Sequence, residues 1–347
     1  MFGSCSSLEK IDLSNFDTRS VTKMNSLFMY CNSLIWVDIS TFTTENVREM
    51  QSMFEGCNSL TSLDLSKFKT DNVINMLTIF HECYSLKELK ISNFNTKSVT
   101  NMGSMFQDCY LLKSLDLSLF NTSLVDSMSS MFENCYSLES LDLSKFETNN
   151  IFEIENIFTN CSSLKYLDIS NFNTSNFYSM SDMFRDCKSL TSLDLSNFKT
   201  DNVYSMSNMF KNCESLTSLN LINFRTEKLS SISNMFNNCN SLRFLDINNF
   251  VTSNLIYMTN LFYNCTSLTS LSLKNFNTER VYNMDGMFYS CSSLEKLDLS
   301  SFDTSSCKSF ESTFYECNNL TILVNPNNCM NMISQLPPYV KYENATN

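Results

Sequence analysis

Along this chain the apolar positions recur every 26 residues. With Met1 as position 1 of the first repeat, position 2 is Phe thirteen times, from Phe2 to Phe314, and position 8 is Leu thirteen times, from Leu8 to Leu320. Position 16 is Phe and position 18 is Thr in all twelve full repeats, from Phe16 and Thr18 to Phe302 and Thr304. Position 5 is Cys throughout, from Cys5 to Cys317. A fixed period of this length marks a stack of like units, each too small to bury its own apolar face. Two spacings coexist inside the repeat. Leu8, Ile11 and Leu13 give L-x-x-L-D-L, whose last three residues alternate, as a short strand with one buried face does. Val21, Met24, Leu27 and Phe28 are spaced 0, 3, 6, 7, which predicts one stripe of a short helix. Asn25 and Ser26 then fall on its polar side, and Thr18 stands where an N-cap would. Each repeat thus predicts strand, turn, short helix, turn, with stacked strands forming one parallel sheet at about 4.8 Å spacing.

The repeat spans 1–325, and a tail, 326–347, follows. All three prolines, Pro326, Pro337 and Pro338, lie in that tail, whose apolar stretch Met330 to Leu336 is placed to cap the last repeat.

L-x-x-L-x-L is the strand signature of leucine-rich repeats, and 26 falls within their period. The fuller pattern, as in TSLDLSNFKTDNVYSMSNMFKNC (191–213), closely resembles the BspA-like leucine-rich repeats of bacterial surface proteins. The resemblance covers about 325 of the 347 residues. It implies an α/β leucine-rich-repeat solenoid, right-handed, with a parallel sheet on the concave face and short helices on the convex face. It also implies a surface-displayed, non-enzymatic protein that adheres to or recognises a protein or glycan. The N-terminal MFGSCSSLEKIDLSNF lacks the basic and apolar regions of a signal peptide, so an intracellular scaffold or regulatory role stands as the alternative.

Composition narrows the chemistry. Lys and Arg number 24 and Asp and Glu 36, a net charge of −12, which disfavours nucleic acid and anionic membranes as partners. Four glycines cannot build a phosphate-binding turn, so no nucleotide cofactor is expected. No apolar run is long enough to span a membrane as a helix. The single His, His81, occupies a variable polar position and reads as a surface residue without a catalytic partner. The fifteen cysteines read as a buried comb of thiols rather than a disulfide ladder, because stacked side chains point in parallel. Cys307 and Cys329 lie off the comb, near Cys317 in sequence, and leave room for one cap disulfide.

Two sets of candidate contacts remain. Position 12 is Asp nine times, at Asp12, Asp38, Asp64, Asp116, Asp142, Asp168, Asp194, Asp246 and Asp298, a row facing out from the sheet. It reads either as a groove for a basic partner or for cations, or as a solvated row hydrogen-bonded to the serines at position 14. Aromatic residues that break the consensus form the second set, since aromatic groups dominate binding hot spots. Tyr84, Tyr110 and Tyr136 share position 6, Phe152, Tyr178 and Tyr204 share position 22, and Tyr263, Tyr289 and Tyr315 share position 3. On the strand, position 10 carries Trp36, Tyr166 and Phe244. Each ladder reads as a contact surface or as stacking that stiffens the coil.

Overall fold

The computed structural model describes residues 1–345. The chain divides into two compact units, Met1–Asn176 and Phe177–Asn347, and each is a parallel β-solenoid of 26-residue turns. In the first unit β1 (Lys10–Asp12), β2 (Trp36–Asp38), β3 (Ser62–Asp64), β4 (Glu88–Lys90), β5 (Ser140–Asp142) and β6 (Tyr166–Asp168) pair as β1–β2, β3–β4 and β5–β6. The register follows the repeat, with Ile11 opposite Val37, Leu63 opposite Leu89 and Leu141 opposite Leu167. In the second unit β7 (Phe244–Asp246) pairs with β8 (Ser270–Ser272), again with Leu245 facing Leu271. There β9 (Lys296–Leu299), β10 (Thr321–Val324) and β11 (Lys341–Asn344) form a three-stranded parallel sheet with β10 in the middle.

The short helices expected between positions 21 and 28 are absent among the described residues. Successive turns replace them, and a row of single parallel bridges joins position 23 of neighbouring repeats, from Lys23 to Glu153 in the first unit and from Ser179 to Ser309 in the second. The cause is local. Positions 26 and 4 adopt left-handed backbone in each repeat, for example Ser52 (φ 55°), Gly56 (φ 70°), Asn208 (φ 59°) and Asn212 (φ 61°). Two left-handed residues four apart end any helix before it completes a turn. The residues there are mostly Ser, Asn, Asp and Gly, of which Asn, Asp and Gly tolerate that conformation best.

Most backbone donors of this bend are paired, either across repeats or within the turns, as burial demands. In the bend over residues 50–56 the N–H groups of Met50, Ser52, Phe54 and Gly56 reach carbonyls one repeat further on, at Asn75, Leu77, Ile79 and His81. The intervening N–H groups of Met53 and Glu55 close turns onto Met50 and Ser52. Apolar residues spaced by three therefore face one side here because turns close every third residue, not because a helix forms.

The bend and the strands enclose the core. Position-2 rings stack in register, at centroid distances of 5.4 Å for Phe28–Phe54 and 5.6 Å for Phe236–Phe262. Leu34, Leu60, Leu86 and Leu164 at position 8 are fully buried.

Thr18 and its equivalents are not N-caps. Each buried hydroxyl substitutes for a peptide group between repeats. Thr148 Oγ1 donates to the Asn173 carbonyl at 2.8 Å and accepts from the Asn173 N–H at 2.7 Å. Thr252 makes the same pair with Asn277, at 2.9 and 2.7 Å.

None of the fifteen cysteines forms a disulfide, and only Cys5 is exposed. Comb thiols donate to the position-2 carbonyl of the preceding repeat, as Cys135 does to Phe106 at 3.2 Å and Cys317 to Phe288 at 3.0 Å. Burial raises their pKa, to about 12 at Cys83, Cys161 and Cys265. Near the tail the thiols also go elsewhere than to one another: Cys329 donates to Phe302 at 3.2 Å and Cys307 to Ser309 at 3.2 Å. The tail itself folds as α1 (Pro326–Ile333), capped at its start by Asn325, with Cys329 and Met332 buried, and then adds β11 beside β10.

Candidate functional site

The short strands turn their middle residue inward and the two beside it outward, most clearly in Ser62–Asp64, Ser140–Asp142 and Phe244–Asp246, where the middle Leu is buried and its neighbours are exposed. Positions 10 and 12 therefore stand on the outer face of the sheet, where a partner could reach them.

The carboxylates of the acidic row have an internal task. Asp12, Asp38, Asp64, Asp116, Asp142, Asp168, Asp194 and Asp298 each accept the N–H of the serine two residues on, at 2.8 to 3.1 Å. Asp246 does the same with the N–H of Asn248 at 3.0 Å. This closes the turn after the strand. Those hydrogen bonds hold Asp38, Asp116 and Asp168 below the usual carboxylate range, with the serine hydroxyl as the leading cause. At Asp64 the pKa falls to about 2, because Ser66 donates and Lys90 adds an ion pair at 3.0 Å. Each acid thus uses one oxygen to close a turn; the other meets Lys90 at Asp64, Lys274 at Asp298 and the Tyr166 hydroxyl at Asp168. Lys90 and Lys274 offset the row at Asp64 and Asp298.

At position 10, Trp36, Tyr166 and Phe244 are 47, 56 and 58 % exposed, far more than any core aromatic. Within the first unit, Trp36 and Tyr166 do not converge. Trp36 on β2 and Tyr166 on β6 are five repeats apart, on the order of 24 Å along the sheet. Trp36 borders a trough of about 380 Å³ whose other walls include Asp38, Ser62, Asp64 and Lys67.

The three ladders on the flanks differ among themselves. Tyr84 and Tyr110 stack at 4.7 Å and are half-buried, and Tyr136 leans on Tyr110 at 5.0 Å with a 41° tilt. Tyr263, Tyr289 and Tyr315 stack at 4.3 and 5.0 Å, with only Tyr315 exposed. Tyr178 and Tyr204 stack more loosely at 6.3 Å and are both about half exposed. Phe152, in the first unit, is also exposed. Tyr84, Tyr110, Tyr263 and Tyr289 spend much of their ring area on a neighbour, so they are less open to a partner than the exposed Tyr136 and Tyr315.

His81 is not a surface residue. Its side chain is 20 % exposed, with Nε2 at 3.3 Å from Asp108 Oδ2 and Nδ1 at 3.9 Å from Glu55 Oε1. Glu55 is itself buried and accepts from Tyr30 Oη at 3.0 Å and Thr78 Oγ1 at 2.9 Å. Burial pulls the His81 pKa down, but the hydrogen bond to Asp108 and the charges of Glu82, Asp108 and Glu55 outweigh it, and the net shift is upward. Sequence reading missed this cluster because it weighed position 3 alone. The signal was present: positions 3 and 4 of neighbouring repeats carry Glu55, His81, Glu82 and Asp108, and the period brings them together. Among the described residues no three His, Cys, Asp or Glu side chains are placed to hold a metal ion, and no helix is long and apolar enough to cross a membrane.

A family described as "Mycoplasma protein of unknown function, DUF285" matches this sequence in four overlapping stretches, residues 1–90, 60–167, 139–244 and 230–336. No curated protein matches the chain. Among solved structures, the chain is similar to a TLR13–ssRNA13 complex, at 20 % identity over 91 % of this chain and 50 % of that one, with a TM-score of 0.33. It is also similar to the LRIM1/APL1C complex, at 15 % identity over 90 % of this chain and 58 % of that one, with a TM-score of 0.28. A third is the Drosophila Toll–Spatzle complex, at 15 % identity over 85 % and 48 %, with a TM-score of 0.25. The chain spans about half the length of these structures.

Proposed function

This chain belongs to that DUF285 family of repeat proteins, and we propose that it is a non-enzymatic binding protein that attaches to a protein or glycan at a cell surface through the outer face of its strands. The observation that carries this reading is the exposure of Trp36, Tyr166 and Phe244, at 47, 56 and 58 %, at a position that most repeats fill with Ser, Lys or Glu. Large aromatic side chains left in water cost solubility and serve no packing role, whereas at an interface they are the residue types that carry affinity. The fold supports such use, since a solenoid's stability resides in its buried consensus positions and leaves the exposed ones free to vary. No nucleophile, base and orienting acid converge in the His81 cluster, whose carboxylates are occupied by Tyr30, Thr78 and His81 itself.

The test replaces Trp36, Tyr166 and Phe244 together by Ser and measures attachment of the protein to cells or to immobilised extracellular matrix. Attachment should fall by about 2 kcal/mol or more, some thirtyfold, while the melting temperature holds. Undiminished attachment overturns the reading.

A further inference from the structure

We propose that the trough beside Trp36 is a subsite for a neutral glycan, with the indole stacked on a sugar ring and the carboxylates of Asp38 and Asp64 accepting its hydroxyls. This rests on the outer strand face being the recognition surface, and it names the ligand class for one part of that face.

The trough has about 380 Å³ of room, within the size range of small-ligand sites. It exists because a large residue stands beside a small one: Trp36 rises from β2, and the position-10 residue of the next repeat, on β3, is Ser62. A rigid indole with two rotatable bonds, 47 % exposed, loses little entropy when it is covered. The C–H face of a pyranose is apolar with a slight positive charge, and it suits the negative face of an aromatic ring.

The polar groups are already oriented. The Ser40 N–H fixes Asp38 Oδ1 at 2.9 Å, and the Ser66 N–H fixes Asp64 Oδ1 at 3.0 Å. Each carboxylate therefore presents its second oxygen in a set direction, Asp64 sharing its own with Lys90 at 3.0 Å. Lys67 Nζ, held by the Ser40 carbonyl at 3.3 Å, adds donors on the same wall. Two carboxylates against Lys67 and Lys90 sum to zero, so neither a cationic nor an anionic ligand is favoured. A ligand with many hydroxyls and no charge matches such a mixture, because hydroxyl-to-carboxylate bonds are charge-assisted. A protein partner would need on the order of 800 Å² on its side, and here the exposed apolar surface is limited to Trp36 and Ile35.

The second unit supplies a contrast. A trough of about 370 Å³ beside Lys274, Lys296, Asp298 and Glu343 has charged walls of both signs but no aromatic one, and it should not bind sugar.

Trp36 is the only tryptophan in the chain, so tryptophan emission reports this trough alone. The full chain is titrated with neutral oligosaccharides built on glucose, galactose, mannose or N-acetylhexosamine. At least one series should shift the emission saturably. By calorimetry, W36S should abolish that binding and D38N should weaken it about tenfold. D38N keeps the turn, since Asn220 closes the equivalent turn by accepting the Ile222 N–H at 3.1 Å. D298N should change nothing. If no oligosaccharide moves the emission, or if W36S binds within twofold of the parent, the proposal is overturned. If W36S loses attachment to cells while no glycan moves the emission, the glycan inference falls and the binding role of the strand face stands. If glycans bind at Trp36 but the triple variant attaches undiminished, the subsite stands and the cell-attachment reading falls.

Discussion

Position 4 of the repeat is filled differently in the early repeats of the first unit and in the early repeats of the second. In the second, Asp186, Asn212, Asn238 and Asn264 form an amide ladder, each Asn Nδ2 donating to the oxygen below it at 2.7 to 2.8 Å. In the first, the same position runs Tyr30, Gly56, Glu82 and Asp108 before Asn134 and Asn160 restore the ladder. The backbone is the same: φ is 57° to 70° over Tyr30 to Asp108 and 57° to 61° over Asp186 to Asn264. Asn enters this region at low cost and links repeats as it does so. Tyr and Glu enter it under strain, and a Cβ on Gly56 would lie 2.3 Å from the Tyr30 ring. What the first unit gains instead is a polar pocket, where Glu55, Glu82 and Asp108 surround His81. One backbone template thus supports either a uniform ladder or a local charge cluster, and strain of this kind tends to collect at functional places.

The largest test of this contrast is Asn238→Ala. It puts Ala in left-handed backbone and orphans the amides of Asn212 and Asn264, so it should destabilise by about 2–3 kcal/mol in denaturant unfolding. A loss under 0.5 kcal/mol would mean that the ladder contributes no stability. Next is Tyr110→Ser beside the cluster. Its ring is half-buried between Tyr84 and Tyr136, so about 1–2 kcal/mol should be lost, more than a surface change would give.

The third is a pH effect, confined to the first unit's cluster. The pKa of His81 is raised above its ordinary 6.5, so its stabilisation is complete below about pH 6.5 and is lost as pH climbs through the raised folded value. Asp108 runs the other way. Burial pushes its pKa up, but hydrogen bonds with His81 and Asn134 bring it below 3.8. Its contribution is therefore present above about pH 3.8 and lost as pH falls through the folded value. Between these limits the pair is intact. His81 is the only histidine, so a proton NMR titration reads it directly, and a midpoint at or below 6.5 would refute the cluster's electrostatics. The smallest effect belongs to Glu82→Asn, which puts a ladder residue in the strained position and removes one charge facing His81. Stability should rise by about 0.5–1 kcal/mol and the His81 midpoint should drop.

The strand half of the repeat was legible because Leu8, Ile11 and Leu13 carry both the period and the burial. The bend was misread because Val21, Met24, Leu27 and Phe28 have a spacing that a helix and a chain of three-residue turns share. The residues that decide between them are not apolar at all. They are the Ser, Asn, Asp and Gly at positions 26 and 4, whose backbone preference hydrophobic periodicity ignores. Thr18 was misassigned for a similar reason: its hydroxyl bonds across repeats, a relation visible only once the turns are stacked. Exposure of Trp36, Tyr166 and Phe244 followed from strand alternation alone. Stacking was one of two readings open to the ladders of Tyr84, Tyr110, Tyr263 and Tyr289, and how far it covers each ring depends on geometry that the repeat pattern alone does not set.

The thiol comb also has a kinetic meaning. A thiol with pKa near 12 is ionised at neutral pH in about one molecule per 100,000, and only the thiolate attacks disulfides or oxidants readily. Folded, the chain holds fourteen buried thiols dormant whatever the redox state of its surroundings. Unfolded, all of them return to ordinary reactivity at once, twelve of them spaced every 26 residues along the chain and Cys307 and Cys329 between or beyond. A disulfide formed there between distant repeats ties together residues that the stack holds several turns apart. In an oxidising medium, unfolding therefore becomes a one-way step, and the working lifetime of the protein is set by its slowest opening rather than by its equilibrium stability.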